Sequence, residues 1–382
     1  MRLKSTRWLA AGLMAMATIS GTWITCALAE DMGPGLTAPI VLPPFDPKAP
    51  LCAAPPGLTP VLAFARDNDR DFMAGVDHGL ALAAKDSQLD YRSASADNDP
   101  AKMADEVDAF LAQRVGALVA APVDPTSLAS HLQSVIWSGA YVGTIVPPPA
   151  TTILNAPQYL TGKTLGDTAA DYIVAHLNGK ANVVLLTHDN LEFLAPRFTA
   201  IRDALAKVPG AVIVADISPL TVNQAGGYTT MKTILLAEPQ IDVVLGADTV
   251  VLGALAAMRD AGLMRPDQFF GGIDGEPDAV IELRKPDSPY KASISLASPI
   301  FGYAMGRQAA DWMQGKSIPQ AIDILPIALT TASLPQYEID IADPAAVYAD
   351  PARRDAYLKF YGNICYDIRG NYLNFPWSSE NN

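Results

Sequence analysis

Short apolar, β-branched runs recur along most of this chain, each followed by a segment with helical spacing. That alternation narrows the fold more than any other feature. The runs are PVLAFA, GALVAAP, AYVGTIV, NVVLLTHD, AVIVADI, DVVLGA, FFGGID and YKASISL. Buried parallel strands have this nearly continuous apolar character because helices cover both faces of their sheet. Between the runs, Phe72, Val76 and Leu80 share one helical face, and so do Met103, Val107, Phe110 and Leu111. Tyr172, Ile173 and Leu177 repeat the pattern, as do Leu252, Leu255 and Met258. The fold class read from this is α/β, with doubly wound parallel sheets. For 382 residues, two sheets suit the length better than one. The prolines Pro147, Pro148 and Pro149, followed by TTILNAPQYL, mark the best candidate for a passage between the two. After Gln314 the pattern decays, and the tail from Ala342 onward, rich in Tyr with Trp377, reads as an aromatic wrap over the body.

The N-terminus bears on compartment. Arg2, Lys4 and Arg7 precede an apolar stretch from Trp8 through Ala17 to Ile24, which ends in CALA. Ala27 and Ala29 are placed as the small residues of a signal-peptidase site before Glu30, so residues 1–29 are predicted to be a cleaved export signal. A retained membrane anchor is the competing reading. Thr18, Ser20, Thr22 and Thr25 within the stretch speak against it. Trp23, Ile24 and Thr25 before Cys26 fit a lipoprotein signal poorly. Cleavage leaves Cys52 and Cys365, and two cysteines in an oxidising compartment invite one disulfide, with two unpaired thiols as the alternative. Residues 30–58 are Pro- and Gly-rich and read as an extended surface segment.

Several classes are disfavoured. A net charge of −13, with no basic run beyond the first residues, argues against nucleic-acid binding. There is no Gly-rich nucleotide loop, no GxSxG elbow, no HExxH and no metal-ligand spacing, so no cofactor or metal is predicted. His78, His131, His176 and His188 are scattered; the first three fall in predicted helices and read as surface or half-buried residues.

In open parallel sheets, ligands bind outside the carboxyl ends of the strands, so the residues just after each strand are the informative ones. After PVLAFA come Asn68, Asp69, Arg70 and Phe72; after DVVLGA, Asp248; after FFGGI, Asp274 and then Gly275. Arg197 falls early in the helix after NVVLLTHD. Carboxylates and a guanidinium beside an aromatic face suit hydroxyl-bearing ligands. Plainer roles are available. Asp67, Asn68 or Asp69 can cap the helix near Asp71, Asp248 can cap the one from Thr249, Phe72 can be core, and Arg197 can lie on a solvated face.

Across residues 60–325 the sequence resembles the type I periplasmic binding proteins of the ribose- and galactose-binding kind, relatives of the LacI repressor's ligand domain. The resemblance rests on an ordered set of segments: DNDRDFMAGVDHGL, DNDPAKMADEVDAFLAQRVGALVAAPVDPTSL, LGADTVVLGALAAMRDAGL, GGIDGEPDAVIEL and ASISLASPIFGYAMGRQAADWMQGK. It implies two lobes joined by a three-crossing hinge, with crossings near Leu154, Leu296 and Ile324. The implied N-terminal lobe is 59–154 plus 297–324, the C-terminal lobe 155–296 plus 325–341, and 342–382 a C-terminal extension. It also implies that Phe72 stacks on a sugar ring while Arg197, Asp248 and Asp274 bond its hydroxyls. The chain departs from the ribose-type pattern at three places. Val146 and Pro147 stand where an Asp-Arg pair is usual, Ala247 where an Asn precedes the later aspartate, and Leu296 where a Gln lies near the second crossing. Apolar groups at polar positions leave ligand hydroxyls unpaired, so the expected ligand is larger or less polar than a simple sugar: a deoxy sugar, an aromatic alcohol or a modified polyol. The function implied is non-enzymatic: a monomeric periplasmic receptor delivering a small solute to the membrane permease of an ABC importer. The alternatives are a sensor feeding a membrane kinase or chemoreceptor and, behind it, a secreted enzyme.

Overall fold

The computed structural model describes residues 35–145 and 148–381; the predicted export signal and Val146 lie outside them. The first lobe runs β1 (Thr59–Arg66), α1 (Asp71–Asp86), β2 (Asp90–Ser95), α2 (Pro100–Ala112), β3 (Val115–Ala120), α3 (Pro125–Trp137), β4 (Tyr141–Ile145) and β5 (Thr152–Asn155). Strand β3 is buried at every position, which explains its unbroken apolar sequence. Proline opens α2 and α3, and the preceding aspartates cap them: Asp99 accepts from the Ala101 and Lys102 amides, Asp124 from that of Thr126. Val76, Leu80, Met103 and Val107 are buried beneath the sheet's helices, as their spacing predicts.

The second lobe runs α4 (Gln158–His176), β6 (Lys180–Leu186), α5 (Ala195–Leu205), β7 (Gly210–Ile217), α6 (Gln224–Ala237), β8 (Val243–Gly246), α7 (Asp248–Asp260), β9 (Phe269–Asp274), α8 (Pro277–Leu283) and β10 (Tyr290–Ser295). Then α9 (Ser298–Met313) returns to pack on α1. The remaining elements are β11 (Ala321–Ile324), β12 (Ile327–Leu329), α10 (Leu334–Ala342), α11 (Pro344–Ala349), α12 (Pro351–Tyr357) and β13 (Leu358–Tyr361).

Among the described residues there are two sheets, ordered β13-β11-β5-β4-β3-β1-β2 and β12-β10-β9-β8-β6-β7. All neighbours are parallel except β11–β13 and β10–β12. The chain passes between the lobes after Asn155, after Ser295 and after Ile324. Because β12 lies in the second sheet and β13 in the first, the tail adds a fourth passage, through α10 to α12.

Three readings of the sequence are refined or changed here. The segment around Pro148 and Pro149 joins β4 to β5 within one sheet, and the passage to the second lobe falls in the TTILNAPQYL that follows, at Ala156 and Pro157, beside the crossing the resemblance puts near Leu154. AVIVADI is not a buried central strand; β7 is an edge strand, which leaves Val212, Ile213 and Ile217 exposed. The tail does more than wrap, since β13 extends the first sheet antiparallel to β11. Its aromatics still pack on the body. Trp377 meets Tyr361 at 5.1 Å between ring centroids and shares a buried cluster with Leu42 of the Pro-rich segment. The disulfide Cys52–Cys365 ties that segment to the tail.

Candidate functional site: a cleft between the lobes

Strand ends from both sheets meet at one cleft of about 710 Å³. The first sheet contributes Ile145, Leu154 and Ile324, each at or next to the last residue of its strand. The second contributes Asp274 and Ser295, the last residues of β9 and β10. This is the position where parallel sheets hold ligands.

Arg197 is the most constrained polar group in it. Helix α5 begins against α4 at Gly162, where a Cβ would fall 1.8 Å from the Arg197 carbonyl oxygen, so a side chain there would displace α5. Arg197 is only 7% exposed, yet its side chain makes a single hydrogen bond among the described residues, from Nε to Gln158 Oε1 at 2.9 Å. Its Nη1 stands 4.0 Å from Asp274 Oδ1. Burial pulls the guanidinium's pKa down, opposed by Asp274. A buried guanidinium with unused donors is costly unless something accepts from it.

Asp274 adopts φ +123°, a conformation rare for a residue with a side chain and costing about 1–3 kcal/mol. The turn that enforces it is held from behind. Gly275 N donates to Ser293 Oγ at 3.1 Å, and Glu276 N donates to Asp248 Oδ2 at 2.9 Å. Burial raises the pKa of Asp274, while Arg197 and Arg70 lower it. Glu276, also on the cleft, is pushed up to about 7 by burial and then by the neighbouring carboxylates Asp248 and Asp274.

Of the residues singled out in the sequence, Arg70, Phe72, Arg197, Asp274 and Leu296 line the cleft together. Phe72 is half-buried there, its ring 5.7 Å from that of Phe301. Asn68 and Asp69 do not line it. Asn68 Nδ2 donates to Asn98 Oδ1 at 2.8 Å, tying the β1–α1 turn to the loop after β2, and Asp69 pairs with Arg66 at 2.7 Å within the turn. Asp248 does not line the cleft either, nor does it cap a helix. Fully buried, it accepts from Tyr290 Oη and Ser293 Oγ, each at 2.6 Å. Gly272 lets it come that close to β9, since a Cβ there would meet Asp248 Oδ1 at 1.9 Å. Burial raises its pKa to about 6. Asp248 is thus a positioning residue for the Asp274 turn.

The sequence reading missed Gln158, Glu276, Ser295, Tyr337 and Ile341, all on the cleft. Glu276 followed the noted Asp-Gly pair and was within reach. The last two belong to α10, whose Leu334, Tyr337 and Ile341 repeat at helical spacing in the segment read as the end of the C-terminal lobe.

A family model described as a periplasmic binding protein domain matches residues 61–317, more than half of the chain. The chain belongs to this family. The periplasmic binding protein is 24% identical over 274 residues to the ABC transporter periplasmic-binding protein YphF of Escherichia coli, covering 68% of this chain and 82% of the relative. It is 26% identical over 271 residues to the ribose import binding protein RbsB of Bacillus subtilis, covering 68% and 83%. A crystal structure of a periplasmic ribose ABC transporter from Conexibacter woesei superposes with a TM-score of 0.64 at 18% identity, covering 74% of this chain and 95% of the other. The type I architecture expected from the resemblance is borne out. The protein is a solute-binding protein, and its family is not enzymatic.

Proposed function

We propose that this periplasmic binding protein is exported after cleavage behind Ala29, and captures a small hydroxylated solute for an ABC-type membrane permease. One observation carries the reading. Arg197 is buried on the cleft wall, its side chain making a single hydrogen bond among the described residues, and its Nη1 stands 4.0 Å from the Asp274 carboxylate. Such a pair gives a ligand hydroxyl both an acceptor and a donor, and Phe72 offers an apolar face beside them. The transport roles of the Escherichia coli and Bacillus subtilis relatives support delivery to a permease. A solute contacting both lobes bonds fully only when they close, so binding shifts the population towards the closed form that a membrane partner recognises.

Calorimetric titration of the mature protein with pentoses, hexoses, polyols and aromatic alcohols tests this. The expected result is one-to-one binding of a hydroxylated member at micromolar affinity or better, lost in Arg197→Ala. Failure of every member to bind, or chemical turnover of the solute, overturns it.

A further inference from the structure

We propose that α10 is a specificity wall, in which Tyr337 and Ile341 select solutes carrying a deoxy or alkyl-substituted end. The inference deepens the reading of the cleft as a site for hydroxylated solutes, and rests on it. Both residues line the cleft, and both come from α10. α10 follows the third passage between the lobes and β12.

The helix is fixed on several sides. Tyr337 and Leu334 are buried. The Tyr337 hydroxyl lies 2.7 Å from Ser295 Oγ at the second crossing. Glu338 pairs with Arg284 at the end of α8 in the second lobe. Asp340 accepts from Arg353 at 2.6 Å and from the Tyr357 hydroxyl at 2.7 Å, on the tail's α12. Tyr357 O in turn accepts from Leu325 N at 2.7 Å, which sets α10 beside Ile324. A helix braced this way is a wall of fixed shape.

Its chemistry is apolar. Ile341 has no polar atom, and the Tyr337 hydroxyl is committed to Ser295, whose Oγ also accepts from Ala297 N at 3.0 Å. Ile324, Leu154 and Leu296, which line the same cleft, carry no side-chain polar atom either. Polar groups gather elsewhere on the cleft, at Arg197, Asp274 and Glu276. A ligand hydroxyl placed against α10 would lose its water and find no partner, weakening binding on the order of tenfold per hydroxyl. A methyl in its place loses nothing and gains contact.

The test titrates the full mature protein with matched pairs: D-galactose and D-fucose, L-mannose and L-rhamnose, D-ribose and its terminal deoxy analogue, myo-inositol and its mono-O-methyl ether. The expected result is at least tenfold tighter binding of the substituted member in one pair or more. That preference falls below threefold in Ile341→Asn, which adds a polar partner, and in Tyr337→Phe, which frees the Ser295 hydroxyl. The readout is a ratio within each variant, so general weakening cancels. Equal or tighter binding of the parent in every pair that binds, or a preference unchanged in both variants, overturns the wall and leaves the solute-receptor reading standing. Failure of all eight compounds to bind overturns the wall, and the solute-receptor reading falls with it only when the remaining sugars and polyols and the aromatic alcohols fail as well.

Discussion

Gly162 links the packing of the second lobe to its binding chemistry, and adding one methyl group there tests the link. In Gly162→Ala the new Cβ would lie 1.8 Å from the Arg197 carbonyl oxygen, 2.6 Å from its carbon and 2.9 Å from its Cα. All three are backbone atoms, so no rotamer relieves the clash, and α5 has to move outward by roughly 1 Å or more. Phe198, Ile201 and Leu205 of α5 pack with Leu165, Ala169 and Ile173 of α4, so the shift opens the lobe's core. The expected stability cost is about 1–3 kcal/mol, the usual range for overpacking. Arg197 moves with the backbone and loses its 2.9 Å bond to Gln158 and its place opposite Asp274. Losing one charge-assisted hydrogen bond to a ligand costs about 1.5–3 kcal/mol, so affinity should drop roughly tenfold to a hundredfold. Thermal melts of the free protein measure the first effect, and calorimetry with any solute that binds measures the second. Wild-type melting together with wild-type affinity would refute the argument that α4 positions Arg197 by backbone contact.

Three further outcomes are expected. Asp274→Ala should weaken solute binding by about 2 kcal/mol, near thirtyfold, without unfolding the protein; unchanged affinity in a titration removes Asp274 from the site. Asp248 holds its proton more tightly when folded, with a pKa of about 6 against an ordinary 3.8, so the folded state binds more protons than the unfolded one between about pH 4 and pH 6. Its contribution to stability therefore falls as pH rises through that window, by roughly 2–3 kcal/mol. Glu276 acts in the same direction up to about pH 7, and His188, whose pKa burial lowers, in the opposite one. Denaturant midpoints of wild type minus those of Asp248→Asn isolate the Asp248 slope, and identical slopes contradict it. Cys52→Ser removes a bond spanning 313 residues and should cost about 2–5 kcal/mol of stability, read as a lower unfolding midpoint under oxidising conditions; an unchanged midpoint shows that the bond adds nothing.

The sheets were legible because central strands such as β3 are apolar throughout, and the helices between them carry regular buried faces. Edge strands were not. Polar β2 (DYRSAS) gave no apolar run, while β7 gave one that is largely exposed, because apolar composition does not say on which side of a sheet a strand lies. At the cleft, Arg197, Asp274 and Phe72 could be found because they follow strand ends. Asp248 satisfies the same rule, yet it faces away from the cleft, towards Tyr290 and Ser293, which are far from it in sequence. Tyr337 and Ile341 were beyond the reach of that rule, since they belong to a helix that follows no parallel strand and is held at the cleft by tertiary bonds, among them those to Ser295, Arg284 and Arg353.

A crystal structure of the mature protein soaked or grown with a solute that binds it tests the central claim most directly. The account predicts the solute between the two sheets, bonded to Arg197 from the second lobe and lying against Phe72 from the first. A solute bound elsewhere on the surface, with Arg197 still bonded only to Gln158, would contradict it.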